Sequence, residues 1–277
     1  MGKTIVLTGI VLSAAPVGEY DRRITVLTKE RGKIAAFARG ARRPGSQLMA
    51  SCSPFSFGQF EAYEGRKSYT VVKAEIKNYF RELAMDLEGA YYGFYFLEIA
   101  GYYTQENADE IHMLKLLYQS LRALESRRLD NKLVRRVFEL RAMAVNGEGP
   151  NVFSCLGCGK EEGLSWFGVR RGGTLCEGCK NTSTDRILDG SVLYAMQYII
   201  SSRIEKLYTF TLSEAVLESL GRTIDEYMGY YLDRKFHALQ ILEENIGFAQ
   251  ANRRLQSIDK KVIIGKVHGK DSEEVGL

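Results

Sequence analysis

Four of the five cysteines stand in two pairs, Cys155-Leu156-Gly157-Cys158 and Cys176-Glu177-Gly178-Cys179, with seventeen residues between the pairs. Two Cys-x-x-Cys pairs at that separation can converge as four thiolates around one tetrahedral ion, the arrangement structural zinc sites prefer. A metal with four protein ligands has no open position, so it would fold its segment and do no chemistry. The ligand type admits iron as well, because four thiolates also hold iron centres. Two disulfides are disfavoured in a reducing compartment, and a redox dithiol needs only one pair. A glycine precedes the second cysteine of each pair, where a tight turn often needs a left-handed backbone and where amide donors can point at sulfur. Cys52 stands alone with no histidine near it in sequence. It reads as a small, partly buried hydrophobe rather than a nucleophile.

The second chemical pattern is cationic. Residues 1–80 hold 13 Lys and Arg against 6 Asp and Glu, a local charge of +7, whereas the rest of the 277-residue chain comes to −3 and the whole to +4. A basic block on a slightly acidic body points to a polyanion site on one domain. Arg22, Arg23, Arg39, Arg42, Arg43, Arg66 and Lys67, followed by Lys73 and Lys77, are interleaved with Phe37, Phe57, Phe60, Tyr63 and Tyr69. Single-strand binders need this mixture, since cations follow phosphates while aromatic faces stack on unpaired bases. Phe37, Phe55 and Phe57 read as core, and the arginines of Arg39-Gly40-Ala41-Arg42-Arg43-Pro44-Gly45-Ser46 as phosphate contacts. Such contacts carry no sequence preference and weaken steeply with salt.

These side chains need a scaffold. The first 80 residues read as short strands at Thr4–Leu12, Arg22–Thr28, Ile34–Ala38, Phe55–Tyr63 and Ser68–Ile76, separated by turn residues. Five strands with a basic loop between the third and fourth fit a closed barrel of the oligonucleotide-binding (OB) kind, although SH3-type barrels have similar strand lengths. From Phe80 onward apolar residues recur at helical spacing, predicting helices near Leu87–Tyr103, Asp109–Glu125, Asn131–Val145, Ser191–Ser202, Ser213–Tyr231 and Arg234–Glu243. Asp189 and Ser213 are N-cap candidates. The fold class expected is α+β and multidomain: an N-terminal five-stranded OB-fold barrel at 1–80, then an all-α domain at 81–250 with a four-cysteine zinc-ribbon insertion at 150–182. Residues 251–277, polar and low in aromatics, are expected to be a mobile tail. No apolar run reaches the roughly 18 to 20 residues of a membrane span. The N-terminus lacks a signal-peptide core, so the reading is cytoplasmic.

Catalytic signatures are sparse. The sequence has no Gly-x-x-x-x-Gly-Lys-Ser/Thr phosphate loop, no His-Glu-x-x-His and no Gly-x-Ser-x-Gly. Glu75-Ile76-Lys77 has the carboxylate-x-lysine form of some nucleases, but a strand-end charge pair explains it. The chain reads as a non-enzymatic nucleic-acid binder, a rival reading being a zinc-ribbon regulator that reads a duplex sequence.

The order of several local motifs resembles the bacterial RecO recombination-mediator family along nearly the whole chain. The carriers are Gly18-Glu19-Tyr20-Asp21-Arg22-Arg23 with Leu27-Thr28, Gly32-Lys33, Ala38-Arg39-Gly40-Ala41-Arg42-Arg43 with Ser46, and Pro54-Phe55. Further on come Arg136-Val137-Phe138-Glu139-Leu140-Arg141, Gly149-Pro150, the four cysteines with Gly172-Gly173 between the pairs, and Tyr230-Tyr231-Leu232. One departure is His237-Ala238 after Arg234-Lys235-Phe236, where the family often has a basic residue and serine. The resemblance implies an OB barrel, a helical domain, a zinc ribbon and a nucleoid-associated cytoplasmic location. It also implies binding of single- and double-stranded DNA, strand annealing, and work with RecR and RecF to replace single-strand-binding protein by RecA. For the acidic tail of single-strand-binding protein, the candidate receivers are Arg127, Arg128, Lys132 and Arg135, beside Arg136. A solvated helix face would explain the same residues.

Overall fold

The computed structural model describes residues 3–66 and 68–244. Its first five strands are β1 (Thr4–Val17), β2 (Asp21–Thr28), β3 (Gly32–Ala38), β4 (Phe57–Glu64) and β5 (Tyr69–Asn78), closed as a barrel in the order β1-β2-β3-β5-β4. Period-two alternation fills it: Ile34, Ala36 and Ala38 of β3 point inward to meet Leu7, Val11, Ile24, Val26, Phe60 and Val71. Closure leaves no strand edge to pair with another chain.

Two sequence expectations change here. β1, expected to stop at Leu12, continues to Val17, because a bulge between Val11 and Ser13 bends it from its pairing with β4 into its pairing with β2. Phe55, expected to begin the fourth strand, instead has φ +73°, and its ring leaves the barrel to pack on Phe94 at 4.7 Å between centroids. A short helix, α1 (Leu48–Ser51), fills the space between β3 and β4.

The body consists of α2 (Arg81–Met85), α3 (Leu87–Tyr103), α4 (Ile111–Ser126), α5 (Asn131–Val145), α6 (Gly190–Ser201) and α7 (Glu214–Tyr231), with a last helical stretch over residues 237–244. That stretch starts three residues later than periodicity suggests. Asp130 and Asp189 cap α5 and α6, each accepting a backbone N–H two residues on at 2.7 Å. Ser213 occupies the cap position of α7 without a side-chain bond. Ile10, Leu12 and Leu27 of the barrel belong to the same apolar cluster as Tyr95, Phe96 and Phe138 of the body, so the two units share a core. Gly32 marks the seam. It sits at φ +62°, and a Cβ there would lie 2.2 Å from the Gln105 carbonyl oxygen.

α3, α5 and α7 are tied by a buried carboxylate. Glu139 accepts from Arg135 Nε at 2.7 Å, from Arg136 Nη1 at 2.9 Å and from the Tyr95 hydroxyl at 2.6 Å, while Arg136 reaches across to Asp225 at 2.5 Å. Burial alone would raise the Glu139 carboxyl, yet the two guanidiniums hold it below its ordinary value.

Between α5 and α6 lies a small sheet of β6 (Leu164–Gly168), β7 (Gly173–Cys176) and β8 (Arg186–Ile187), in the order β7-β6-β8. It carries the cysteine pairs. The expected tail at 251–277 lies outside the described residues.

Candidate metal centre and nucleic-acid interface

The ribbon brings Cys155, Cys158, Cys176 and Cys179 together with all four sulfurs within 4.8 Å of one another, and Cys158 Sγ 3.7 Å from Cys176 Sγ. A tetrahedral zinc with Zn–S near 2.3 Å would set its sulfurs about 3.8 Å apart. The site therefore fits a metal ion. Cys155 Sγ accepts the backbone N–H of Gly157 at 3.4 Å and of Cys176 at 3.3 Å. Burial pushes this thiol up, but the amides of Cys176, Gly157 and Cys158 bring it down to about 6, which favours the thiolate a metal needs.

The two glycines turn out not to serve left-handed turns. Gly157 is there for space, because a Cβ would come within 2.7 Å of Cys179 Cβ, whereas Gly178 faces open room. The left-handed residue is Gly159, at φ +77°. The ribbon core consists of Cys155, Leu164 and Leu175 with a few partly buried neighbours, too little apolar surface to hold a sheet by itself. Trp166, the single tryptophan of the chain, donates Nε1–H to Glu177 at 2.7 Å and lies under Lys180 at 4.5 Å.

Cys52 is fully buried in the barrel, where burial pushes its thiol up to about 11. That suits packing, not nucleophilic attack.

On the barrel surface the strand registers bring Tyr63, Thr70, Phe37, Arg23 and Ala15 into one row across β4, β5, β3, β2 and β1. Tyr63 is 49% exposed. Phe37 is half-buried on the outer face, correcting its expected place in the core. The pattern Lys33-Ile34-Ala35-Ala36-Phe37-Ala38 already contains the answer: with Ile34 inward, period two sends Phe37 outward.

The cations read as DNA contacts take different places. Arg23, Arg39, Arg43 and Arg66 are exposed. Among the described residues none of the four has an ion pair, while nearby Arg31 pairs with Glu64 at 3.8 Å. Arg43 rests 5.1 Å from the Tyr20 ring, and Arg42 donates to the Gly18 carbonyl at 3.2 Å. With Gly40 N–H on Asp21 Oδ1 at 2.7 Å, these bonds fasten the 39–46 loop to the β1–β2 turn. Arg22 is turned to a local task, donating Nη1–H to Met49 O at 2.8 Å and Ser53 Oγ at 3.0 Å. Lys67 lies outside the described residues.

Of the candidate partner residues, Arg128 precedes the start of α5 and, with Lys132, is exposed. Arg127 caps α4 at φ +52° and pairs with Asp86 at 3.7 Å. Arg135 is buried on Glu139 and does not share their surface. A cleft of about 790 Å³ runs beside them, bounded by Tyr92, Lys132, Leu212, Leu217 and Arg222.

A closed five-stranded barrel with a basic, aromatic-bearing outside, set on helices that carry a four-cysteine ribbon, defines an OB-type protein of nucleic-acid metabolism with an accessory metal module. Residues 1–80 match the family described as Recombination protein O N terminal, and residues 84–240 that described as Recombination protein O C terminal. The chain belongs to the RecO family of DNA repair and recombination proteins. It is 31% identical over 239 residues to the DNA repair protein RecO of Alkaliphilus metalliredigens, covering 85% of this chain and 97% of that one. The DNA repair protein RecO of Acetivibrio thermocellus is 32% identical over 239 residues, 85% of this chain and 95% of the relative. Among the described residues no helix is long and apolar enough to cross a membrane.

Proposed function

We infer that this protein is a recombination mediator that binds single- and double-stranded DNA on the outer face of its barrel and anneals complementary strands. With RecR and RecF it promotes loading of RecA onto DNA coated by single-strand-binding protein, in the cytoplasm at the nucleoid. The observation that carries the reading is the row of Tyr63, Phe37 and Arg23, with exposed Arg39, Arg43 and Arg66 nearby. Aromatic faces accept bases and guanidiniums accept phosphates, without regard to sequence.

Annealing needs no reacting group. Two complementary strands repel, and a surface that neutralises phosphates on both lowers the barrier without making or breaking a bond. The protein is accordingly not an enzyme. Its metal is zinc, one ion on Cys155, Cys158, Cys176 and Cys179, and its role is to fold the ribbon. The acidic tail of single-strand-binding protein meets Arg127, Arg128 and Lys132, with Arg135 buried behind them on Glu139 and Asp225. Residues 1–80 form the DNA-binding unit, and the helical body at 81–250 presents the ribbon and the tail site.

The test is a strand-annealing assay at several salt concentrations, with and without saturating single-strand-binding protein. Accelerated annealing of any complementary pair, weakening with salt, is the expected result. Binding confined to one duplex sequence, with no acceleration, would instead identify a sequence-reading regulator.

A further inference from the structure

Outside the barrel row, three cations converge on a cleft at the seam between barrel and body. Lys77 is next to last in β5, Arg81 begins α2 and Arg122 lies in the last part of α4; together they line a cleft of about 480 Å³. All three are exposed, and among the described residues none of them is ion-paired. The Arg81 guanidinium rests on the Tyr79 ring at 5.2 Å. Two carboxylates, Glu82 and Glu125, share the wall. Burial holds the Glu125 carboxyl above its ordinary value, opposed by the neighbouring Arg122 guanidinium.

Further cations lie on either side of the cleft. Toward the barrel, β5 turns Lys73 and Lys77 outward beyond the Thr70 position of the row, with Glu75 exposed between them. Along the body, the exposed face of α4 runs Lys115, Gln119, Arg122 and Ser126 with no carboxylate among them. Lys115 and Arg122 stand seven positions apart on the helix, about 10.5 Å of axis. At the Lys115 end a second hollow of about 430 Å³ has Lys29 and Glu205 on its wall. Cations spaced along one exposed helix face suit an extended polyanion better than a single small anion.

We propose that the Lys77–Arg81–Arg122 cleft, continued along α4 to Lys115, holds the phosphodiester backbone of a second nucleic-acid strand while the barrel row holds the first. The proposal rests on the barrel reading given above and names where the partner strand sits. Two tracks on one molecule give annealing its geometry: each strand is neutralised separately, and pairing becomes an encounter at high local concentration.

The experiment uses the full chain and two labelled, non-complementary oligonucleotides, so that capture is measured without pairing. First-strand affinity is read at equilibrium, and capture of the second strand by energy transfer to the first, both across a salt series. The cleft variant carries Lys77→Gln, Arg81→Gln and Arg122→Gln; the barrel variant carries Arg23→Gln, Arg39→Gln and Arg43→Gln. The cleft variant is expected to bind the first strand within about twofold of the parent. Its second-strand capture falls at least about tenfold, and the salt slope of that step flattens by about 2, three contacts at roughly 0.7 each. Arg81→Lys with Arg122→Lys keeps the charge and is expected to keep capture. Unchanged second-strand capture in the cleft variant, or equal loss of both steps, overturns the second track. Undiminished first-strand binding in the barrel variant overturns the barrel reading itself, a result separable from either outcome at the cleft.

Discussion

Glu139 shows how much one side chain can hold. It is fully buried and binds two guanidiniums and a phenol from two helices, one of which passes the contact on to α7. Removing one partner of a buried pair strands the others, at a cost of about 3–5 kcal/mol. Glu139→Gln is expected to lose that much in chemical denaturation at neutral pH. Because the folded carboxyl titrates below its ordinary 4.5, the stabilisation is fully present above that pH and disappears as pH falls through the folded value. Parent and variant stabilities should therefore converge in acid; a constant gap down to acid unfolding would contradict the assignment. Sequence spacing exposes the Arg135–Glu139 pair but not its burial, which depends on Tyr95 and Asp225, distant in sequence. Cys52 makes the complementary case. With its thiol pushed up to about 11 inside the barrel, it should stay unmodified by a thiol reagent in the native protein. After chelation four cysteines should react, and after denaturation all five.

The ribbon and the barrel face differ in how openly the sequence declares them. Two Cys-x-x-Cys pairs advertise a shared ion because ligand chemistry constrains spacing. The reason for Gly157 stays hidden, since it concerns the Cys179 side chain arriving from the other pair. Gly157→Ala is expected to lower bound metal markedly while leaving helical content nearly unchanged, read by metal analysis and circular dichroism. Chelation of the parent should shift the fluorescence of Trp166, the only tryptophan, for the same reason. An emission spectrum indifferent to chelator would show that no metal supports this sheet. On the barrel, the five strands are legible from alternation and turn residues, but which face Phe37 occupies depends on the phase of β3. Phe37→Ala and Tyr63→Ala should each weaken single-strand binding by about 1–3 kcal/mol, the worth of one stacked base, and leave the salt slope alone. An altered slope with unchanged affinity would mean the rings stack on nothing.

At the scale of the whole molecule, barrel and body share apolar residues and are keyed at Gly32, so the barrel is seated on the helices through one continuous core. The charge division along the chain foretells a basic module on a nearly neutral body. It does not foretell that Arg22 and Arg42 spend hydrogen bonds on holding local loops, while Arg23, Arg39, Arg43 and Arg66 stay exposed and, among the described residues, without an ion pair. The account therefore turns on four side chains. The most direct measurement is the affinity of the full-length protein for a single-stranded oligonucleotide across a salt series, beside a variant with those four arginines changed to glutamine. The parent should lose affinity with salt at a slope steeper by about 3 than the variant, four contacts at roughly 0.7 each. Equal slopes and equal affinities in the two proteins would contradict it.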